Sequence, residues 1–220
     1  TYTGPINIEQ GAIQIENAAS LGSGLVTVKR DGVLDINTTG YTGAPVYLAG
    51  SIERWTADGA RTGAVNLGGG TLQIANDQTG ITPTTVTLNG GAIEGFLRTD
   101  DLVYIGRTNG AVYRTVSAAT SFVFAGDSFV GQSITSGING LDNGAAPNIA
   151  NPLSNAAQGV ILEIKGDISG PGSLTKQGYD SVTISGNNTY AGGTNVNLGT
   201  LRLGSSSALP ANTTLTTTAN

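Results

Sequence analysis

The chain has 220 residues, only 11% of them charged, and its 15 acidic and 10 basic side chains give a formal net charge of −5. The basic residues are scattered singly, so no stripe of positive charge could neutralise a nucleic acid or an anionic membrane surface, and neither partner is expected. The chain contains no Cys and no His, which excludes thiol and imidazole nucleophiles and the usual zinc ligands.

Glycine is abundant, with 34 residues, while 38% of the chain is hydrophobic. Disordered chains lack that apolar content, and no apolar run approaches the ~20 residues of a membrane-spanning helix. The composition therefore predicts many short strands joined by tight turns. Both ends begin or stop inside strand-like repeats, so we expect 1–220 to be one segment of a larger protein or a unit that stacks end to end.

The N-terminal region, 1–37, alternates apolar and polar residues with a period of two, which indicates strands with one buried face. It predicts about two coils. The inward-facing side chains are Ile6, Ile8, Ile13, Ile15, Val26, Val28, Leu34 and Ile36.

The region 40–63 holds the only Trp, Trp55, beside Arg54. Strands are predicted at 45–49 and 51–53. Two interpretations of Trp55 are open. Arg54 and Trp55 are candidate ligand contacts on an exposed platform, or Trp55 is an edge or core anchor with its indole N–H satisfied, which is the commoner case.

The region 63–96 returns to the alternating pattern, and the next stretch, up to residue 131, is rich in aromatic side chains. Strands are predicted there at 102–105, 111–116 and 121–124. The aromatic residues indicate core stacking, with a carbohydrate-binding strip as the alternative. They are Phe96, Tyr104, Tyr113, Phe122, Phe124 and Phe129.

The segment 132–158 has the weakest strand pattern, with Asn-Gly pairs and prolines that favour turns. We predict an irregular excursion or loop insertion there. The pattern resumes at 159–172, where Leu162, Ile164 and Ile168 are predicted to face inward.

The region 172–210 contains three predicted strands, 181–185, 194–198 and 200–203, separated by Gly and Asn residues that tolerate positive φ. Their predicted inward pairs are Val182 and Ile184, Val196 and Leu198, and Leu201 and Leu203.

Internal repeats link this region to the rest of the chain. The segment 197–203 has counterparts at 68–74 and 9–15, and a second unit at 26–36 recurs at 86–93. Such self-similarity is typical of stacked repeats, in which each unit buries its face on its neighbours.

The ordered motif in 172–210 resembles the autotransporter-associated β-strand repeat, also called the passenger-associated transport repeat. Asp180 and Ser181 depart from the family pattern, where Gly or Thr is expected. The resemblance implies right-handed parallel β-solenoids in large secreted or surface-displayed bacterial passengers. The matching residues are Gly172, Leu174, Lys176, Gly178, Ser185, Gly186, Asn187, Asn188, Tyr190, Gly192, Gly193, Thr194, Gly199, Thr200 and Leu201.

Catalytic chemistry is not expected. The nearest grouping is Asp100 and Asp101 with Arg98 and Arg107. Glycosidases need two carboxylates ~5–10 Å apart, whereas adjacent residues in a strand point to opposite faces. No metal or cofactor site is predicted.

Together these features predict an all-β fold, a right-handed parallel β-helix (β-solenoid) of nine or ten coils, with the excursion at 132–158. The leading functional hypothesis is a non-catalytic structural or adhesive stalk segment of a bacterial cell-surface or secreted protein. Its expected partners are neighbouring solenoid segments or copies of itself end to end, and surface glycans or host or cell-surface proteins. The alternatives are a carbohydrate-binding solenoid and a polysaccharide-degrading β-helix enzyme.

Overall fold

The computed structural model of the chain describes residues 2–19, 21–42, 46–79, 84–96, 112–131, 160–178 and 180–218. Within these ranges there are strands and turns but no helix, and hence no helix that could cross a membrane. The strands are β1 (Ile6–Ile15), β2 (Val26–Ile36), β3 (Val46–Leu48), β4 (Ile52–Trp55), β5 (Gly63–Gly68), β6 (Thr71–Ile74), β7 (Thr84–Asn89), β8 (Ala92–Gly95), β9 (Val112–Val116), β10 (Thr120–Gly126), β11 (Ser128–Val130), β12 (Val160–Ile164), β13 (Ile168–Ser169), β14 (Leu174–Lys176), β15 (Ser181–Ile184), β16 (Thr194–Val196), β17 (Thr200–Leu203) and β18 (Leu215–Thr217).

Every pairing between these strands is parallel, which confirms the predicted solenoid. The long strands β1 and β2 contribute to two ladders at once. The first ladder continues through β3, β5, β7, β10 and β13, and the second through β4, β6, β8, β11, β14, β16 and β18. A third ladder contains β9, β12, β15 and β17.

About seven turns carry the first ladder, and the second ladder contains nine strands from β1 to β18, against the predicted nine or ten coils. Most turns take about 20 residues, as in the hydrogen bond between Ile168 and Asn188. Two turns are much longer, because the contact between Thr85 and Ser121 spans 36 residues and the one between Asp127 and Ser173 spans 46. Nine strands at a spacing of ~4.8 Å give a second ladder of roughly 38 Å.

Several sequence predictions fall outside the described residues. They are the strand at 102–105, the aromatic residue Tyr104, the grouping of Arg98, Asp100, Asp101 and Arg107, and the excursion at 132–158.

The interior is filled by side chains that stack in register from turn to turn. In the first ladder Phe122 pairs with Val86 on one side and Ile168 on the other, and all three are fully buried. Phe124 is also buried, whereas Phe129 points outward and is 37% exposed. Among the described aromatic side chains of β10 and β11, Phe122 and Phe124 therefore stack in the core and Phe129 does not.

The last predicted strands are only partly inward-facing. Val182 and Ile184 are buried, and Leu201 packs against the core while partly exposed. Leu203 was predicted to face inward but is 51% exposed. It lies on β17, the last described strand of the third ladder, so no further described strand covers it.

The three copies of the Gly-x-apolar unit do not occupy one face. Residues 11–15 and 71–74 lie in the second ladder, whereas 200–203 lies in the third. They share the glycine at the start, since Gly11, Gly70 and Gly199 all have positive φ. The copies thus repeat a turn geometry that only Gly adopts easily.

Candidate functional site

Trp55 lies in the core. It is 1% exposed, and its indole Nε1–H donates to Glu53 Oε1 at 2.8 Å. The exposed-platform interpretation is therefore wrong for Trp55, and the anchor interpretation fits, because the buried ring has a partner for its polar edge.

Glu53 is the unusual member of this cluster, because it is a fully buried carboxylate in an inward column between Leu34 and Leu72. Arg61 donates to it in a bidentate arrangement, from Nε to Oε1 at 2.8 Å and from Nη2 to Oε2 at 2.9 Å. Buried charges persist when they are paired in this way.

Tyr41 closes the cluster from the neighbouring turn, since Tyr41 and Arg61 form a parallel bridge. The Arg61 guanidinium lies 4.7 Å from the centroid of the Tyr41 ring. Burial raises the pKa of Tyr41, Arg61 lowers it and Glu53 raises it. Glu53, Trp55, Arg61 and Tyr41 are all at most 4% exposed, so this cluster supports the interior and offers no surface to a ligand.

Arg54 points to the opposite face, where it belongs to a row of polar side chains. Its Nε donates to Gln73 Oε1 at 2.9 Å, and Gln73 Nε2 donates to Glu94 Oε1 at 2.7 Å. The ring of Phe96 lies 3.9 Å from the Arg54 guanidinium. Burial lowers the pKa of Arg54, which Asp35 and Glu94 raise. The row, in register, is Gln14, Asp35, Arg54, Gln73 and Glu94.

This row places Arg54 among partners from its own chain, and Gln73 and Glu94 are only 2% and 3% exposed although they face outward. Of the two candidate ligand contacts, Trp55 is buried and Arg54 is half-buried and hydrogen-bonded. Because one points inward and the other outward, the structure does not bring them together into a site.

The aspartates at the corners form contacts that the sequence analysis missed. Four of them accept a backbone N–H from a later turn at 2.6–2.9 Å, and no shared local motif distinguishes them. The pairs are Asp58 with Thr79, Asp77 with Thr115, Asp127 with Ser173, and Asp167 with Asn187.

Lys176 is the other buried charge, at the corner between β14 and β15. Its Nζ donates to Asp180 Oδ1 and to the Gly178 carbonyl, both at 2.8 Å, and also to the carbonyls of Gln177 and Leu198. Asp180 departs from the family pattern, and here it is the counterion of the motif lysine. Burial lowers the pKa of Lys176, which Asp180 raises.

Asn188 and Tyr190 of the same motif also hold the turns together. The Asn188 Oδ1 accepts the Ile168 N–H at 2.8 Å, while its Nδ2 donates to the Ala208 carbonyl at 2.6 Å, so one amide joins three turns. Tyr190 is buried and its hydroxyl shares a hydrogen bond with Thr194. The motif therefore encodes contacts within the fold.

The described residues contain no group of three or more Asp, Glu, His or Cys side chains that could hold a metal ion. A groove of about 330 Å³ lies at one corner, and no charged side chain lines it. Its lining residues are Asn188, Thr189, Tyr190, Ala191, Pro210, Ala211, Asn212 and Thr213.

Comparison with known proteins assigns part of the chain to a repeat family. Residues 174–203 match the family model of the passenger-associated transport repeat. No curated protein and no solved structure matches the chain significantly. The matched range includes Lys176, Asp180, Asn188 and Tyr190, the side chains that hold the corners.

Proposed function

We propose that this chain is a non-catalytic structural or adhesive stalk segment of a bacterial passenger-type protein, because residues 174–203 match the passenger-associated transport repeat and belong to a parallel β-solenoid. That repeat family is associated with autotransporter passenger domains. The protein is accordingly secreted or displayed at the cell surface, where the solenoid holds other segments or loops away from the membrane.

One observation carries the structural part of this proposal: the buried charged groups bind each other inside the fold. Glu53 pairs with Arg61, and Lys176 pairs with Asp180. All four side chains are at most 4% exposed. Because these charges bind partners inside the fold, they stabilise the register between turns and are not accessible to a substrate.

The carbohydrate-binding alternative receives no support from the described part of the chain. Trp55 is buried, and the exposed aromatic residues there, Tyr2, Tyr47 and Phe129, lie on different segments and do not line up in one ladder. The enzyme alternative receives no support either, because the two carboxylates of the outward row, Asp35 and Glu94, are only 9% and 3% exposed and both interact with Arg54.

The location can be tested on bacteria that express the complete natural protein. An antibody raised against 160–218 is expected to label intact cells, or to detect the protein in the medium. Labelling that occurs only after the cells are permeabilised, with nothing in the medium, would overturn the proposal.

The absence of catalysis can be tested with the purified chain on a panel of bacterial and host polysaccharides. We expect no release of reducing ends, and release above the level of a heat-denatured sample would overturn the proposal. Glycan binding should be tested in parallel with Tyr47→Ala as the aromatic variant. Tyr47 is 53% exposed, so its loss spares the core, unlike Trp55→Ala.

A further inference from the structure

The Lys176 ammonium occupies a closed, oxygen-lined space to which three turns contribute. Gln177, Gly178 and Asp180 belong to its own turn, and the Leu198 carbonyl, 3.3 Å from Nζ, belongs to the next. The preceding turn contributes Gly131. Lys176 is 0% exposed and Asp180 is 1% exposed, so this space is closed to solvent.

Glycines on both sides set the size of this space. A Cβ atom added to Gly131 or to Gly199 would lie 2.9 Å from Nζ, which is closer than real Cβ contacts. At Gly131 the added atom would also lie 2.3 Å from the Gln177 carbonyl oxygen. The space therefore fits a compact ammonium group and excludes a larger head such as the planar guanidinium of Arg.

The chemistry of the lining also selects an ammonium group. Three carbonyl oxygens and one carboxylate oxygen face Nζ, and every one of them is an acceptor. A primary ammonium has three N–H donors and one positive charge, so two of the four acceptors share one donor, and the charge balances Asp180. An apolar side chain of the same length would leave buried acceptors unpaired, at a cost of about 1–3 kcal/mol each.

We propose that this corner is a binding cage for a primary alkylammonium group, which the chain fills with its own Lys176, and that its occupancy keeps consecutive turns in register. Two neighbouring backbone hydrogen bonds show where the loss of the ammonium group would be detected. The Lys176 carbonyl accepts the Asn197 N–H at 3.0 Å, and the Asp180 carbonyl accepts the Thr200 N–H at 3.2 Å. When the cage is empty, these two hydrogen bonds open to solvent before the other hydrogen bonds between the turns.

The test is chemical rescue of Lys176→Ala in the full chain. This substitution removes three methylene groups and the ammonium, which n-propylammonium matches in size. We expect hydrogen exchange at the Asn197 and Thr200 amides to accelerate about a hundredfold or more, as for a buried ion pair that loses one partner. Propylammonium chloride is expected to slow the exchange of these two amides again by at least tenfold.

The control salt is tetramethylammonium chloride at the same concentration, because it has the charge but no N–H donor. Equal recovery with both salts would overturn the proposal, as would unchanged exchange in Lys176→Ala. Lys165→Met is the matched protein control, since Lys165 is exposed and pairs with Glu163 at 3.5 Å. Its exchange at the same amides is expected to stay unchanged.

Lys176→Met keeps the proposal testable if Lys176→Ala does not fold. Methionine fills the volume without donors, so the same amides are expected to lose protection and propylammonium is expected to have no effect. If the Lys176→Met chain keeps full protection from hydrogen exchange at these amides, the cage proposal is overturned. These outcomes are independent of where the protein is located, so they do not decide the proposed stalk function.

Discussion

Trp55 donates its indole N–H to Glu53, two residues earlier on the same strand, and both side chains point into the interior. The carboxylate thereby receives the indole and the Arg61 guanidinium together. Glu53 lies where its neighbours in register are Leu34 and Leu72. A charged group replaces an aliphatic one at that point, and the surrounding residues compensate for its burial.

Removal of the Glu53 carboxylate should be strongly destabilising. Glu53→Ala leaves Arg61 as an unpaired buried charge, and we expect a loss of about 3–5 kcal/mol in the free energy of unfolding. The double variant Glu53→Leu with Arg61→Met is expected to recover most of this loss, because apolar side chains of similar volume replace both charges.

Chemical denaturation measures both variants. Glu9→Ala is the matched control, because Glu9 forms an exposed ion pair with Lys29 at 2.9 Å. Such pairs contribute below about 1 kcal/mol. A Glu53→Ala variant no less stable than Glu9→Ala would contradict the prediction.

Two buried tyrosines should respond differently to the loss of their hydroxyl groups. The Tyr41 hydroxyl has no hydrogen-bond partner in the described structure, whereas the Tyr190 hydroxyl is bonded to Thr194. Tyr41→Phe is therefore expected to be neutral or stabilising, and Tyr190→Phe to cost about 1 kcal/mol. Thermal unfolding of the two variants under the same conditions checks this, and equal destabilisation by both would be inconsistent with it.

Stability should fall at alkaline pH through the same tyrosines. Burial raises the pKa of both Tyr41 and Tyr190, so the folded state keeps protons that the unfolded chain releases near pH ~10. Their contribution is fully present below that pH and is lost as the pH rises through the folded-state pKa. The chain has no His, so no imidazole titrates near neutrality.

Lys176 acts in the opposite direction over the same range, because its pKa is lowered and its contribution to stability rises with pH. The double variant Tyr41→Phe with Tyr190→Phe separates the two effects. We expect its free energy of unfolding to decline less than that of the natural chain between pH 8 and about 11. An equal decline in the two proteins would show that other groups cause the alkaline loss.

Two adjacent asparagines provide a further matched comparison. Asn188→Ala leaves the Ile168 N–H and the Ala208 carbonyl without their partner, and we expect a loss of about 1–3 kcal/mol for each buried group. Asn187 is exposed, and Asn187→Ala is expected to change stability by less than about 0.5 kcal/mol. Denaturant titration of both variants measures whether Asn188→Ala loses more stability than Asn187→Ala.

The parallel solenoid and most of its inward residues could be predicted from the sequence, because alternation and Gly-rich turns are local features. Val182 and Ile184 illustrate this, since each is set by its own strand. The number of turns could not be predicted, because loop length is free to vary where the chain leaves the ladder. The chain uses 46 residues for the turn from Asp127 to Ser173 but only 20 for the turn from Ile168 to Asn188.

The candidate site was less predictable, because its side chains find partners across the interior of their own turn or on another turn. The burial of Trp55 depends on Glu53, which in turn depends on Arg61 eight residues later. The role of Asp127 depends on a backbone N–H at Ser173. The first two pairings depend on how the chain bends within one turn and the third on the register between turns, and single-sequence patterns contain neither.

The register between turns also limits how such a chain can change in length during evolution. Asn188 reaches Ile168 and Ala208, each 20 residues away, so a duplication or deletion of one whole repeat leaves every partner at its accustomed separation. An insertion of a single residue inside a ladder strand instead turns the following side chains to the wrong face. Lineages of this protein should therefore differ by complete coils and by the size of their corner loops.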